Sequence, residues 1–96
     1  MSAFLICDVT VKDRELLTEY LRLSQPTLEK FGGRFLAQAG ATTVVEGNWD
    51  PKVIVIAEFP STSSAMEWYR SADYAPALGI MPAAMHRNMI VTSGLH

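Results

Sequence analysis

Two segments of this chain are apolar on both of their alternating sides, and no other feature restricts its fold as tightly. In Ala3–Val11 (AFLICDVTV), Phe4, Ile6 and Asp8 fall on one side and Leu5, Cys7, Val9 and Val11 on the other. In Lys52–Phe59 (KVIVIAEF), Val53, Val55, Ala57 and Phe59 share one side, and Ile54, Ile56 and Glu58 the opposite one. Both runs are rich in β-branched and aromatic residues, so each predicts a strand. A sheet with one face in water alternates apolar with polar residues, and these two strands do not. The fold they enter must cover both faces.

Between and around them the sequence predicts two main helices and two more strands. Asp13 suits a helix N-cap, and Leu16, Leu17, Tyr20, Leu21, Leu28 and Phe31 recur at three- and four-residue steps before the Gly32-Gly33 stop. Pro26 lacks an N–H and disfavours helical geometry at Gln25, which predicts a break near Ser24 and a restart. Arg34–Ala39 and Thr42–Glu46 read as a second extended region interrupted at Gly40, and Gly47–Pro51 as a connector. A second helix is expected from Ser61 or Thr62 to about Arg70, capped by serines or threonine, then a shorter helical piece near Tyr74–Ile80, and Asn88–Ser93 as strand four. The order β-α-β-β-α-β is the split βαβ arrangement of a ferredoxin-like α+β sandwich, expected to span residues 1–96 as one domain.

Two right-handed crossovers put both helices on one face of a four-stranded antiparallel sheet. The other face, with Phe4, Ile6, Ile54 and Ile56, stays uncovered. Each such side chain is worth ~1.5–3 kcal/mol when buried, so leaving four in water forgoes a sum comparable to a small domain's whole stability. The sequence therefore predicts a homodimer with sheets packed face to face.

Composition narrows the partners. Apolar residues make up 49% and charged residues only 19%, which excludes disorder. A net charge of −2, with the Lys and Arg residues scattered and no two adjacent, argues against nucleic acid. No apolar run is long enough to span a membrane, and no secretory leader is recognisable. The single cysteine, Cys7, fits a reducing cytoplasm and excludes an internal disulfide.

No phosphate loop, His-x-x-x-His pair or Gly-x-Ser-x-Gly elbow is present, so any catalysis rests on scattered polar residues, and neither cofactor nor metal is expected. Asp8 and Glu58 each follow two large apolar residues on one side of adjacent strands. Placed close together and buried, they would repel, and one would become a usable general acid or base. The plainer reading, a wet strand end or a bond to a backbone N–H, is the commoner outcome. His86, just before strand four, has the chemistry of a base but stands alone as a ligand. Trp49 in the connector, with Trp68, Tyr69 and Tyr74, could line an apolar pocket with polar tips. Tyr69 has the helical spacing of a core residue, whereas Trp49 has no periodic reason for burial and better suits sealing a cavity or an interface.

Taken in order, Asp13 with Tyr20, Phe31-Gly32-Gly33-Arg34-Phe35-Leu36, Glu46-Gly47-x-Trp49-x-Pro51, Glu58-Phe59-Pro60-Ser61 and Trp68-Tyr69-Arg70-Ser71 with Tyr74 resemble the domain-of-unknown-function family numbered 1330 across nearly the whole chain. The resemblance implies a dimeric α+β barrel, the ferredoxin-like dimer also used by muconolactone isomerases and antibiotic-biosynthesis monooxygenases, and no agreed activity. Where the family reads Arg-Gly-Gly this chain has Gln38-Ala39-Gly40, and where an arginine usually follows the late helix it has Met81-Pro82. If those arginines hold an anion, the pocket here is expected to be less basic. Glu58 and Trp49 are the first candidates for the site, then Asp8 and His86, with Tyr74 and Gln38 as further ligand-binding positions.

Three functions compete at this point. One is a cytoplasmic homodimer that binds a small apolar or aromatic molecule in a cavity beside the sheet, with proton transfer at Glu58. Another is cofactor-independent monooxygenase or isomerase chemistry. The third is a non-catalytic dimeric interaction domain.

Overall fold

The computed structural model describes residues 2–95. Its elements are β1 (Ala3–Val11), α1 (Arg14–Lys30), β2 (Arg34–Gln38), β3 (Val53–Phe59), α2 (Thr62–Arg70), α3 (Ala75–Ala84) and β4 (Met85–Ser93). The strands form one antiparallel sheet in the order β2-β3-β1-β4, the ferredoxin-like α+β arrangement. The local signals explain most boundaries. Asp13 accepts from the Leu16 N–H at the start of α1, and Ser61 accepts from the Ser64 N–H at the start of α2. Gly32 takes φ +84° at the exit from α1, and a side chain on Gly33 would run into Leu28 and Phe59, so this pair both turns the chain and lets β2 approach the core.

Helix α1 corrects one expectation. It runs unbroken through Pro26. Tyr20, Ser24 and Leu28, four residues apart, are all buried on one face, and anchoring both sides of the proline offsets the ~3 kcal/mol that a helix-interior proline costs. The second extended region is also shorter than expected. The ladder ends at Gln38, Ala39 adopts φ +61°, and Thr42–Glu46 lies outside any strand. At the other end, α3 continues through Pro82 to Ala84 and β4 starts at Met85, so His86 lies within the strand.

The two faces of the sheet follow the alternation read from the sequence. Leu5, Cys7, Val9, Ala57 and Phe59 are buried beneath the helices with Trp68, Tyr74, Ala77 and Met85. Phe4, Ile6, Ile54 and Ile56 point to the opposite, open face and are only half-buried, and Ile90 of β4 is 60% exposed. Among the described residues, no helix is long and apolar enough to cross a membrane.

Candidate functional site

The polar groups of the interior converge at one point under the helices. Alternation along β4 puts Arg87 on the same side as Met89 and Val91, facing α1 and the chain entering α3. There its guanidinium donates to the Tyr20 hydroxyl of α1 (Nη1 to Oη, 2.9 Å) and to the Tyr74 hydroxyl just before α3 (Nη2 to Oη, 2.8 Å). The two hydroxyls are themselves 2.6 Å apart. Trp68 stacks on Tyr74 at a centroid distance of 4.1 Å and donates its indole N–H to Thr27 of α1. A helix, a helix entry and a strand are thereby tied through one triangle of side chains.

Tyr20 and Arg87 face a cavity of about 50 Å³, with Ser24 and Trp68 also in its wall and Leu5, Cys7, Val9, Leu28, Phe35 and Val55 as its apolar lining. A groove of about 330 Å³ between α2 and the sheet shares Leu5 and Met89 with it and is lined further by Met66, Tyr69 and Val91.

Counting protons exposes an imbalance. Arg87 donates to both hydroxyl oxygens, and one hydroxyl then donates to the other. Either hydroxyl can be the donor in that bond, and both tyrosines lie in the buried core. The second hydroxyl proton and the Nε–H of Arg87 find no acceptor among the described residues, but no fully buried side-chain N or O atom there lacks a partner, so Nε keeps contact with solvent. No carboxylate lines the cavity. Arg87 is the one charged group in the lining, and the Ser24 hydroxyl is a neutral acceptor beside it.

Its titration behaviour points the same way. Burial, reinforced by Tyr20 and opposed by Arg87, holds the Tyr74 phenol well above its ordinary value. Burial also pushes the Cys7 thiol up to about 11, against the pull of Arg87. Burial opposes the charge on Arg87, yet the two tyrosine oxygens outweigh it and leave the guanidinium above its ordinary value. At neutral pH the cavity therefore presents a fixed cation and a thiol that keeps its proton, and no carboxylate or imidazole to act as a base.

Of Glu58, Asp8, His86, Trp49, Gln38 and Tyr74, the last alone reaches this site, while Trp68 and Tyr69, expected beside it as pocket lining, line the cavity and the groove. Tyr74 belongs to the triangle. Glu58 sits on the open face, where Arg34 donates to its Oε1 twice, at 2.9 and 2.7 Å. The Arg34 bond, then one from Ser2, hold its carboxyl below the usual range, and the depression beside it, about 170 Å³, belongs to this surface pair and not to the cavity. Asp8 is also on the open face, but the register sets it against Ile54 while Glu58 meets Phe4. Four residues of strand, ~13 Å, separate the two carboxylates, so they form no acid–base pair. Asp8 instead accepts from the Trp49 indole at 3.0 Å, and Trp49 is 58% exposed in the β2–β3 connection. His86 is exposed on β4, and Gln38 is exposed at the end of β2. Met81 packs against the core from α3, leaving Arg87 as the cavity's cation. Among the described residues, no cluster of histidine, cysteine and carboxylates could hold a metal.

Sequence reasoning missed Arg87 and gave Tyr20 only a packing role. A signal for Arg87 existed, because it shares the parity of Met89 and Val91, and a charge on the helix-facing side of a strand needs a reason.

A four-stranded ferredoxin-like sheet with its polar cluster under the helices defines a general class of small α+β proteins. Within it, this chain belongs to the family described as a domain of unknown function, DUF1330, whose model matches residues 2–95. Among solved structures, it is similar to a protein of unknown function from Rhodopseudomonas palustris, at 23% identity and TM-score 0.80 over 99% of this chain and 83% of that one. It is similar as well to SnoaB, a cofactor-independent oxygenase from Streptomyces nogalater (14% identity, TM-score 0.61, 99% and 94% covered). A third is a dimeric protein of unknown function and ferredoxin-like fold from Bacteroides fragilis (10% identity, TM-score 0.62, 97% and 96% covered). No curated protein matches the chain.

Proposed function

We propose that the protein is a homodimer in which each subunit binds a small, largely apolar or aromatic molecule carrying an acidic or strongly accepting oxygen. The observation that carries this reading is the unbalanced Arg87 guanidinium at the cavity: no carboxylate faces it there, and its Nε–H has no acceptor among the described residues. A ligand oxygen placed there gains a charge-assisted hydrogen bond from the guanidinium. The apolar body of the molecule lies toward Met66, Tyr69 and Met89, whose adaptable sulfur side chains suit a range of shapes. The homodimer is supported by the half-buried apolar residues of the open face and by the dimeric relative from B. fragilis.

A thermal-shift panel pairing aromatic carboxylic acids and phenols with their methyl esters and ethers tests the binding. An acid at ~100 times its dissociation constant adds ~2.7 kcal/mol, its ester much less, and Arg87→Met removes the difference. No stabilisation across the panel, or the same preference in Arg87→Met, contradicts the reading.

The same guanidinium supports a second reading, because it would stabilise an enolate or phenolate, the anion on which cofactor-independent oxygenation or isomerisation acts. The fold shared with the S. nogalater oxygenase fits it. With no base in the lining, the substrate must lose its own proton to water, so activity tracks ionisation of the substrate and not of a protein group. Oxygen uptake or isomer formation with acidic quinols or lactones tests this, and silence at high protein concentration removes it.

A further inference from the structure

One polar side chain on the buried side of α1 has no task within the subunit. Tyr20, Ser24 and Leu28 form the stripe that α1 lays against the core, and Ser24 is only 5% exposed. A buried hydroxyl is costly unless it is bonded, and alanine would fill the same place with a better helix propensity. The bond from Thr27 goes to the Ser24 backbone: its hydroxyl donates to the Ser24 carbonyl, and Trp68 in turn donates to Thr27. The Ser24 side chain itself bonds no described residue. Because no fully enclosed side-chain oxygen there lacks a partner, what remains accessible of this hydroxyl meets the cavity that Ser24 and Arg87 both line.

Arg87 is left open in a matching way. The Tyr20 and Tyr74 oxygens, 2.6 Å apart, occupy Nη1 and Nη2, so the Nε–H side of the guanidinium is the one without an acceptor among the described residues. One cationic and one neutral donor thus border the same small space. Size decides what enters it. The cavity holds about 50 Å³, whereas one that takes a benzene ring is ~150 Å³, so a ring is excluded and a carboxyl group is not. The ring has room next door, in the groove of about 330 Å³ beside Met66, Tyr69 and Met89.

We infer that Ser24 sets the ligand specificity of this site: with Arg87 it holds a carboxylate, one oxygen accepting from the Arg87 Nε–H and the other from the Ser24 hydroxyl, while the apolar body stays in the groove. The inference rests on the binding reading above and narrows its ligand to a carboxylic acid set off from its ring by a short chain. A carboxylate supplies two acceptors and takes charge-assisted bonds. A phenol brings one oxygen fixed directly to its ring, so it stops at the mouth of the cavity and cannot use both donors.

Titration calorimetry of the full chain with phenylacetate, hydrocinnamate, benzoate and phenol tests this. The two acids with a chain between ring and carboxylate should bind best, benzoate less well and phenol least. Ser24→Ala should keep the circular dichroism and the unliganded melting of the wild type, weaken the chain-bearing acids about tenfold, and leave phenol unchanged. A wild-type chain that binds none of the acids in preference to their methyl esters overturns the binding reading and this inference with it. Acids whose binding is lost in Arg87→Met but unaltered in Ser24→Ala overturn the role of Ser24 and leave the binding reading standing. Phenol bound as tightly as the chain-bearing acids overturns the carboxylate assignment.

Discussion

The two faces of this sheet are made of nearly the same residues and are finished in different ways. The helix side encloses Leu5, Cys7, Val9, Ala57 and Phe59 with its own helices and spends its polar groups on one triangle, Tyr20, Tyr74 and Arg87. The open side sets Phe4, Ile6, Ile54 and Ile56 beside Asp8 and Glu58, each of which is satisfied by a surface partner, Trp49 and Arg34. Hydrophobicity therefore does not distinguish the two faces. What does is how charge is balanced: on the helix side Arg87 meets a cavity with no carboxylate, and the open side has apolar area with Glu58 and Asp8 already bonded.

The comparison can be broken most forcefully by cutting into each face in turn. Phe59→Ala should cost ~3–5 kcal/mol in urea unfolding, as for any large core truncation. On the open face, Ile56→Asp should leave the circular dichroism of the subunit in place but yield monomers by sedimentation, because a charge cannot be buried unpaired between sheets. If Ile56→Asp unfolds the chain as Phe59→Ala does at every concentration, the two faces are not distinct in kind.

A smaller effect sharpens the polar triangle. Tyr74→Phe removes a buried hydroxyl that bonds two partners and should cost ~1–2 kcal/mol. The pH dependence has a definite sign. Tyr74 and Cys7 both hold their protons more tightly folded than unfolded, so the stability they contribute is complete at neutral pH and is lost as pH rises. The Cys7 part falls away between its ordinary 9.0 and about 11, and the Tyr74 part declines above the ordinary phenol range near ~10. Unfolding midpoints followed from pH 8 to 11 should drop in the wild type, and more gently in Tyr74→Phe and Cys7→Ala.

The smallest effect concerns the exit from β2. Ala39 holds φ +61°, where a Cβ is crowded. Ala39→Gly should be neutral to stabilising by up to ~1 kcal/mol in thermal unfolding, the relief of crowding being partly offset by a freer unfolded chain.

Much of this organisation was legible in the residues. Period-two alternation assigned Phe4, Ile6, Ile54 and Ile56 to one face because a strand leaves a side chain no other choice, and Asp13 and Ser61 marked helix starts through their capping oxygens. What escaped depended on tertiary context. Pro26 looked like a break because local propensity does not register the burial of Tyr20, Ser24 and Leu28 around it. Thr42–Glu46 looked like a strand because its composition is that of a strand, while nothing within the subunit pairs with it. Asp8 and Glu58 attracted attention as carboxylates on neighbouring strands, yet only the register could say that they stand four positions apart along the strands. The triangle joins residues 20, 74 and 87, a combination that no local pattern announces.

The claim that one face serves the subunit and the other a second copy is tested most directly by sedimentation equilibrium of the wild-type chain across the micromolar range. Twice the subunit mass, falling to a single mass in Ile56→Asp, is the expected result. A wild-type chain that remains a monomer throughout, with its open face in water, would contradict it.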